Sequence, residues 1–402
     1  MPLPCARVVT SLLIAGLTLA IACAHVPQRF PLPQEYVEIA EVPGIPRARL
    51  WGDAPPPWKH DWAGQSRAEM KVRYPGVYGH RHSYLAISGG GENGAFAAGL
   101  LLGWTAAGDR PEFTTVTGIS AGALIAPFAF LGPEYDDVLR KVSVELRAQD
   151  IYKKRGKIKG LRTDAMATTE PLQALIAKYM DEEAMEKIAA EHRKGRALNI
   201  GTTNLDSMRP VIWRIGVIAN SGRPDALRLI RQILLASASV PGAFPPVLIQ
   251  VEAGGKKYDE LHVDGGASSQ VFLYPVGIDY DEVLDRLAVP GRPEVYIIRN
   301  ARVDPMYEPV KNRFLPILGR SIDSLVWTQG LGDLYGIYLQ TCRDGLNFNL
   351  AYIPSDFTRK SEGPIDTEYM QKLFEMAFER AKAGYSWQRR PPKLATSEID
   401  CN

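Results

Sequence analysis

The chain has 402 residues, of which 46% are hydrophobic and 23% charged, as is usual for a globular protein. This length exceeds the roughly 250–300 residues at which a single hydrophobic core stops growing, so one large domain with appendages and two domains are both possible. The formal net charge is only +2, so the composition predicts no nucleic-acid partner.

The N-terminus has the pattern of an export signal. Arg7 is followed by an uncharged apolar run over 8–22 and then by Cys23. Ala22-Cys23 is similar to the cleavage site of bacterial lipoproteins, although Ala20 stands where leucine is commoner; ordinary cleavage near this point is the alternative. We expect residues 1–22 to be a signal peptide, and the protein to be exported to the periplasm or outer membrane with a lipid anchor on Cys23.

A leader follows, over residues 23–82, in which prolines and aromatic residues are dense. Such a segment predicts an extended tether that partly wraps the core.

From Ser83 onward, strand and helix patterns alternate. Strands are predicted at 83–88, 113–116, 197–203, 258–263 and 293–299, with helices at 95–107, 123–131 and 226–237. This alternation is typical of an α/β core with a mainly parallel sheet and helices on both faces. We expect this core to span 83–300 and a helical C-terminal extension, with amphipathic helices at 324–340 and 366–383, to pack on it over 301–402.

Bases outnumber acids between Arg147 and Arg162, where Asp150 is the single acidic residue. A solvated loop is one interpretation. The other is a surface that binds anionic lipid, since each base near such a surface contributes on the order of 1 kcal/mol.

Ser120 lies in a Gly-x-Ser-x-Gly sequence bounded by Gly118 and Gly122, between a predicted strand and a predicted helix. Glycines at both positions permit a sharp turn that exposes the serine hydroxyl above the sheet. This context favours a nucleophilic serine. The alternative is a serine that merely caps the following helix.

A glycine-rich loop precedes the serine: Gly89, Gly90 and Gly91, followed by Gly94. It also satisfies a dinucleotide-binding pattern, but the next strand ends in the serine turn and not in the acidic residue that binds a ribose. Backbone amides at the start of a helix are suited to stabilising an oxyanion, and one such donor can contribute about 3–4 kcal/mol.

Asp264 ends a predicted strand and is followed by Gly265 and Gly266. Taken alone, this aspartate could simply cap a turn. Together with the two preceding motifs, it is interpreted as the base beside Ser120.

The order Gly-Gly-Gly-x-x-Gly, Gly-x-Ser-x-Gly and Asp-Gly-Gly resembles the patatin-like phospholipase family, as does the stretch 236–246. The resemblance covers about 83–299. It implies a three-layer patatin-like hydrolase core and hydrolysis of lipid acyl esters by a Ser–Asp dyad, with Ser120 as nucleophile and Asp264 as proton acceptor. Gly89, Gly90 and Gly91 match the oxyanion loop. Asn93 departs from the family, which often has Lys or Arg at this position.

No histidine follows Asp264, which counts against a Ser-Asp-His triad. His262 lies on the same strand face as Asp264, and is either a supporting partner or a histidine satisfied within its strand. We therefore expect the pH–rate profile to show no limb near pH 6.5 from the titration of an essential histidine. No metal or cofactor is predicted, because the cysteines are scattered and no histidine pair has ligand spacing.

Cys342 and Cys401 remain as an even pair once Cys5 leaves with the signal and Cys23 carries lipid. In an oxidising compartment they are expected to form a disulfide; two separate thiols are the alternative.

The leading hypothesis is an exported esterase for phospholipid or lysophospholipid acyl chains at a membrane surface. A catalytically weak lipid-binding envelope protein and an esterase for small soluble esters are the alternatives. The sequence predicts no oligomeric state.

Overall fold

The computed structural model describes residues 29–58, 65–155, 165–278 and 280–394. The predicted signal peptide, the lipidation site Cys23, and Cys401 lie outside these ranges and stay predictions. Part of the basic segment after Arg147 lies outside them as well. None of the helices within the ranges is long and apolar enough to cross a membrane.

The strands are β1 (Arg49–Trp51), β2 (Ser83–Ile87), β3 (Thr115–Ile119), β4 (Lys153–Lys154), β5 (Ala167–Thr168), β6 (Ala197–Asn204), β7 (Arg209–Arg214), β8 (Val247–Ala253), β9 (Lys256–Asp264), β10 (Glu294–Arg299) and β11 (Asn347–Tyr352). The helices are α1 (Arg67–Arg73), α2 (Gly94–Ala107), α3 (Ala121–Leu131), α4 (Asp136–Val144), α5 (Ala148–Ile151), α6 (Glu170–Tyr179), α7 (Glu182–Arg193), α8 (Ile215–Ala219), α9 (Ala226–Ser237), α10 (Tyr280–Arg286), α11 (Phe314–Arg343) and α12 (Thr367–Lys382). Short 3-10 turns lie at Gln34–Tyr36, Gly91–Asn93, Pro133–Tyr135 and Gly265–Ala267.

A central sheet orders its strands β1-β7-β6-β3-β2-β10-β11, and β9 joins both β6 and β8. The run from β6 to β11 is parallel, as the sequence predicts. Strands β1, β7, β8 and β9 pair antiparallel at the other side. The predicted mainly parallel α/β sheet is therefore confirmed for its centre.

Helices cover both faces of this sheet. On β2, Leu85 and Ile87 pack into the larger hydrophobic core with α2, α3, α9 and α12, whereas Tyr84 and Ala86 pack into a second core with α11. The alternation follows from the two-residue period of a strand. It produces three layers: helices, sheet, helices.

The segment after residue 300 contains the two predicted helices, as α11 and α12, but it is more than a helical extension. It supplies β11, which pairs in parallel with β10 at one edge of the sheet. The leader likewise supplies β1, which pairs with β7 at the opposite edge. Strand β1 has only three residues, and β11 begins Asn-Phe-Asn, so neither sequence has the uninterrupted apolar run that marks β2.

Helices α2 and α12 cross at very short range. A Cβ atom built on Gly99 would lie 2.3 Å from the Phe374 carbonyl oxygen, and one built on Gly103 would lie 2.2 Å from that of Phe378. Glycine at these positions lets the two backbones touch, which places α12 against the helix that starts beside the glycine loop.

We predict that Gly99→Ala destabilises the protein by about 1–3 kcal/mol, because the added methyl group forces α2 and α12 apart. The matched control is Gly336→Ala, an exposed helical glycine whose Cβ would meet nothing within 4 Å. This control should gain roughly 0.5–1 kcal/mol from helix propensity. Denaturant unfolding of both variants measures the difference, and equal gains would show that α2 and α12 do not touch here.

Candidate active site

Ser120 stands at the sharp turn between β3 and α3. Its backbone has φ 56° and ψ −124°, a conformation that non-glycine residues rarely adopt and that costs on the order of 1–3 kcal/mol. Its amide donates to Ser237 Oγ at 3.0 Å, and that hydroxyl donates to the Gly201 carbonyl at 2.7 Å. The Ser120 side chain makes no capping hydrogen bond to α3, so the helix-cap alternative does not describe this residue.

Gly118 and Gly122 keep the turn tight. A Cβ atom on Gly122 would lie 2.3 Å from the Ile87 carbonyl oxygen, and one on Gly118 would lie 2.4 Å from the Gly122 carbonyl oxygen. Any side chain would therefore push α3 away from β2 and β3. This close approach fixes the direction in which the chain turns away from the sheet at Ser120.

Asp264 reaches Ser120 because β9 replaces β3 as the strand that pairs with one edge of β6. Strand β3 pairs with β6 as far as Ile119 opposite Gly201. From the next residue onward β6 pairs with β9, with Thr202 opposite Asp264. Strand β9 thus delivers its last residue to the point where β3 ends, which is why two residues 144 positions apart in sequence meet.

The two oxygens of the Asp264 carboxyl have different surroundings. Oδ1 accepts the Gly266 amide at 2.7 Å, so Asp264 does cap its turn. Oδ2 is buried and has no hydrogen-bond partner of standard geometry among the described residues. The Ser120 hydroxyl is close enough to lower the pKa of this carboxyl, so the contact is present but loosely aligned, as is common in unliganded sites.

Burial raises the pKa of Asp264 to about 6, against the opposing effects of the Ser120 hydroxyl and the Gly266 amide. The carboxylate is then a far better base than an exposed aspartate, yet remains mostly ionised above pH 7. Behind it, a Cβ atom on Gly265 would lie 2.7 Å from the Gly201 carbonyl oxygen. The Asp-Gly-Gly turn therefore packs directly on β6.

The glycine loop lies against the serine, since a Cβ atom on Gly89 would come within 3.1 Å of Ser120 Cβ. The Gly89 amide, however, donates to the Gln270 carbonyl at 3.1 Å, so it is not available to an oxyanion in this arrangement. Gly90 and Gly91 line the cavity at Ser120, and within the described ranges their amides donate to no other backbone segment. Gly94 begins α2 beyond them and packs on Ala121.

Asn300, directly after β10, holds the loop in place and was not singled out from the sequence. Its amide donates to Ser88 Oγ at 2.8 Å, its Nδ2 donates to the Ser88 carbonyl, and its Oδ1 accepts the Ala97 amide. Gly90, at φ 154°, lies so near that a Cβ atom would be 2.4 Å from the Asn300 carbonyl oxygen. A polar residue just past the end of a buried strand is the signal that could have indicated this role.

Gln270 is a second residue that the sequence did not reveal. Its Nε2 donates to the Gly266 carbonyl at 2.7 Å and to Gln329 Oε1 at 3.0 Å. Asp333 Oδ2 accepts its backbone amide at 2.5 Å. Gln270 thereby joins the glycine loop, the Asp-Gly-Gly turn and helix α11.

A cavity of about 420 Å³ opens at Ser120. Its rim includes Gly90, Gly91 and Ala121, and its walls are mainly apolar. Those walls are supplied by several helices and by the loop after α9: Leu124, Ile125, Phe128, Leu172, Ile176, Leu234, Val240, Phe244 and Met370. Apolar cavities of this size hold drug-sized ligands.

His262 belongs to a separate buried network. Its Nδ1 lies 3.0 Å from Thr202 Oγ1 and its Nε2 lies 3.1 Å from Glu260 Oε2. Burial lowers the pKa of His262, so the ring is neutral at pH 7. Arg49 Nη1 completes the network by donating to Glu260 at 2.5 Å. This geometry matches the expectation of a histidine satisfied within its strand.

Two residues that the sequence analysis discussed remain to be placed, Asn93 and Cys342. Asn93 Oδ1 accepts the Tyr369 hydroxyl at 2.7 Å, which ties the loop to α12. Cys342 is disulfide-bonded, while Cys401, its predicted partner, lies outside the described residues. In the part of the chain that the structure describes, no group of three or more His, Cys, Asp or Glu residues could hold a metal ion.

Comparison with known proteins finds a matching family model and distantly similar solved structures. The family model described as patatin-like phospholipase matches residues 85–276. No curated protein matches the chain. Among solved structures, VipD from Legionella pneumophila is 12% identical over 76% of this chain and 67% of its own, with a TM-score of 0.37. The type III effector protein ExoU is 14% identical over 76% of this chain and 53% of its own, with a TM-score of 0.22.

The matched range contains the glycine loop, Ser120 and Asp264. Over residues 85–276 the chain is therefore similar to the patatin-like phospholipases, a family of lipid acyl hydrolases.

Proposed function

We propose that this protein hydrolyses the carboxylic esters of phospholipids or lysophospholipids through a Ser120–Asp264 dyad. The observation that carries the proposal is the apolar cavity of about 420 Å³ that opens directly at Ser120. A hydrocarbon chain gains about 0.8 kcal/mol for each methylene that it buries, so this cavity favours long acyl chains over small soluble esters.

In the proposed mechanism Asp264 accepts the Ser120 proton as Oγ attacks the ester carbonyl. The negative charge that develops on the carbonyl oxygen is stabilised by the amides of Gly90 and Gly91. Collapse of the intermediate expels the alcohol, which takes the proton from Asp264, and leaves an acyl-serine. Water, deprotonated by the same carboxylate, then releases the fatty acid and regenerates the Ser120 hydroxyl.

Export with a lipid anchor on Cys23 is part of the proposal, and its support is the sequence of the first 23 residues. An anchored enzyme would meet its lipid substrate at the membrane surface. The exposed strand β4, Lys153–Lys154, keeps two of the bases of the segment after Arg147 in solvent, which suits either interpretation of that segment.

Ser120→Ala and Asp264→Asn should each lower the hydrolysis of long-chain esters by at least about 10³-fold, because each removes one half of the dyad. Ser386→Ala and Asp259→Asn are the matched controls and should retain full activity, since neither residue lines the cavity. Rates with a series of ester chain lengths measure the effect. Wild-type activity no higher than that of Ser120→Ala would favour the catalytically weak lipid-binding alternative.

The pH profile of kcat/KM should rise with unit slope up to about pH 6 and then level off. The reason is that Asp264, whose pKa burial raises to about 6, must be ionised to accept the proton. His262→Gln should keep this limb, because His262 contacts Glu260 and Thr202 and not the dyad. If this acidic limb of the pH profile disappeared in His262→Gln, the limb would instead be assigned to the histidine.

Asp264→Asn should be more stable than the wild type at pH 7.5, by up to roughly 3 kcal/mol. The folded pKa of about 6 exceeds the ordinary value of 3.8, so the wild type loses stability as pH rises from about 4 to 6. The advantage of the neutral asparagine should therefore shrink when unfolding is measured at pH 4.5. A variant less stable than the wild type at both pH values would contradict the desolvation of Asp264.

A further inference from the structure

Helix α11 consists of two unlike halves. From Gly330 onward it contributes buried residues, including Leu334, Ile337 and Tyr338, to the second core. Its first 13 residues, 314–326, which we call the apolar arm, contain no buried residue. At 1.5 Å per residue the arm is about 20 Å long.

The arm carries a continuous apolar face. Six side chains share one side of the helix at the spacing i, i+1, i+4, i+8, i+11 and i+12, which spans roughly 120°. They are 40–76% exposed: Phe314, Leu315, Leu318, Ile322, Leu325 and Val326. Met306 and Tyr307, just before the helix, are also exposed. An apolar area of this kind is typical of a surface that binds a membrane or another protein.

Charge around the arm favours an anionic lipid surface over a protein partner. Lys311, Arg313 and Arg320 accompany only two acids, Glu308 and Asp323. Within the described ranges none of the three bases forms an ion pair. Arg320, which donates to the Met306 carbonyl, lies opposite the apolar face, and Arg313 precedes the helix in an extended conformation. Apolar residues on one side of a helix and bases on the other are the pattern of helices that lie in the membrane interface.

The arm continues into the residues that hold the active site. One helical turn beyond Val326, Gln329 accepts a hydrogen bond from Gln270, and Asp333 accepts the Gln270 amide. Gln270 in turn contacts Gly266, beside the general base. The buried Arg299 guanidinium packs on Gly330 and donates to the Trp327 carbonyl, which fixes the base of the arm. A membrane bound by the arm would thus lie next to the Asp-Gly-Gly turn that begins with Asp264.

We infer that the apolar arm, residues 314–326, is a docking surface for anionic phospholipid membranes, inserting its apolar face among the acyl chains. This inference rests on the proposed function, since it adds the surface from which the enzyme takes its lipid substrate.

The test compares the full chain carrying Cys23→Ser, which removes any acyl anchor, with the same chain carrying Phe314→Ser and Leu325→Ser. The matched control carries Val72→Ser and Met208→Ser, two side chains that are 83% and 85% exposed and lie outside the arm. Each protein is sedimented with vesicles of phosphatidylcholine, with or without phosphatidylglycerol. Hydrolysis of a soluble short-chain ester and the oligomeric state by light scattering are measured in parallel.

We expect the arm variant to lose at least tenfold in partitioning to phosphatidylglycerol vesicles, with short-chain ester hydrolysis unchanged and the control like its parent. Lys311→Ala with Arg313→Ala should reduce the preference for phosphatidylglycerol. Vesicle binding that is equal in the arm variant and its parent overturns the inference. A parent that is dimeric and an arm variant that is monomeric, with equal vesicle binding, would assign the face to a second copy of the chain.

These outcomes separate the two proposals. Arm-dependent vesicle binding by a protein without esterase activity would support the docking surface and contradict the hydrolase. Esterase activity with arm-independent vesicle binding would do the reverse.

Discussion

The site depends on the register in which β9 replaces β3 along the edge of β6. Ile119 is opposite Gly201 and Asp264 is opposite Thr202, so the last residues of the two strands are neighbours. A shift of one residue in β9 would turn the Asp264 side chain to the other face of the sheet. The packing of Gly265 on Gly201 follows from this register.

A buried network beside the dyad holds that register. Arg49, from the leader, pairs with Glu260, and Glu260 contacts His262, which in turn contacts Thr202. Despite burial, which alone would raise it, the contacts with His262 and Arg49 hold the pKa of Glu260 below its ordinary value. The contact between His262 and Thr202 holds β9 to β6 two residues before Asp264. The buried Arg49–Glu260 pair, which is costly to break, ties β9 to β1. The leader is thereby part of the fold and more than a tether.

The site itself stores unfavourable energy. Ser120 occupies a strained backbone conformation, and Asp264 keeps a carboxylate oxygen in a buried position without a well-aligned partner. Both features reduce stability and increase reactivity: the first exposes the nucleophile, and the second raises the basicity of the proton acceptor. Close backbone contacts at Gly118 and Gly122, together with the Asn300 hydrogen bonds, keep the strained turn from relaxing.

The sequence by itself determined the three motifs, their order and the parallel centre of the sheet, because strand, turn and glycine patterns are local properties of the chain. Tertiary structure alone decided that Gly89 gives its amide to Gln270, that His262 faces Glu260, and that residues after 300 complete the sheet. The apolar cavity also arises only in the fold, since its walls come from helices far apart in sequence. These features depend on which distant groups become neighbours, and burial and hydrogen-bond satisfaction are properties of such neighbours and not of a single segment.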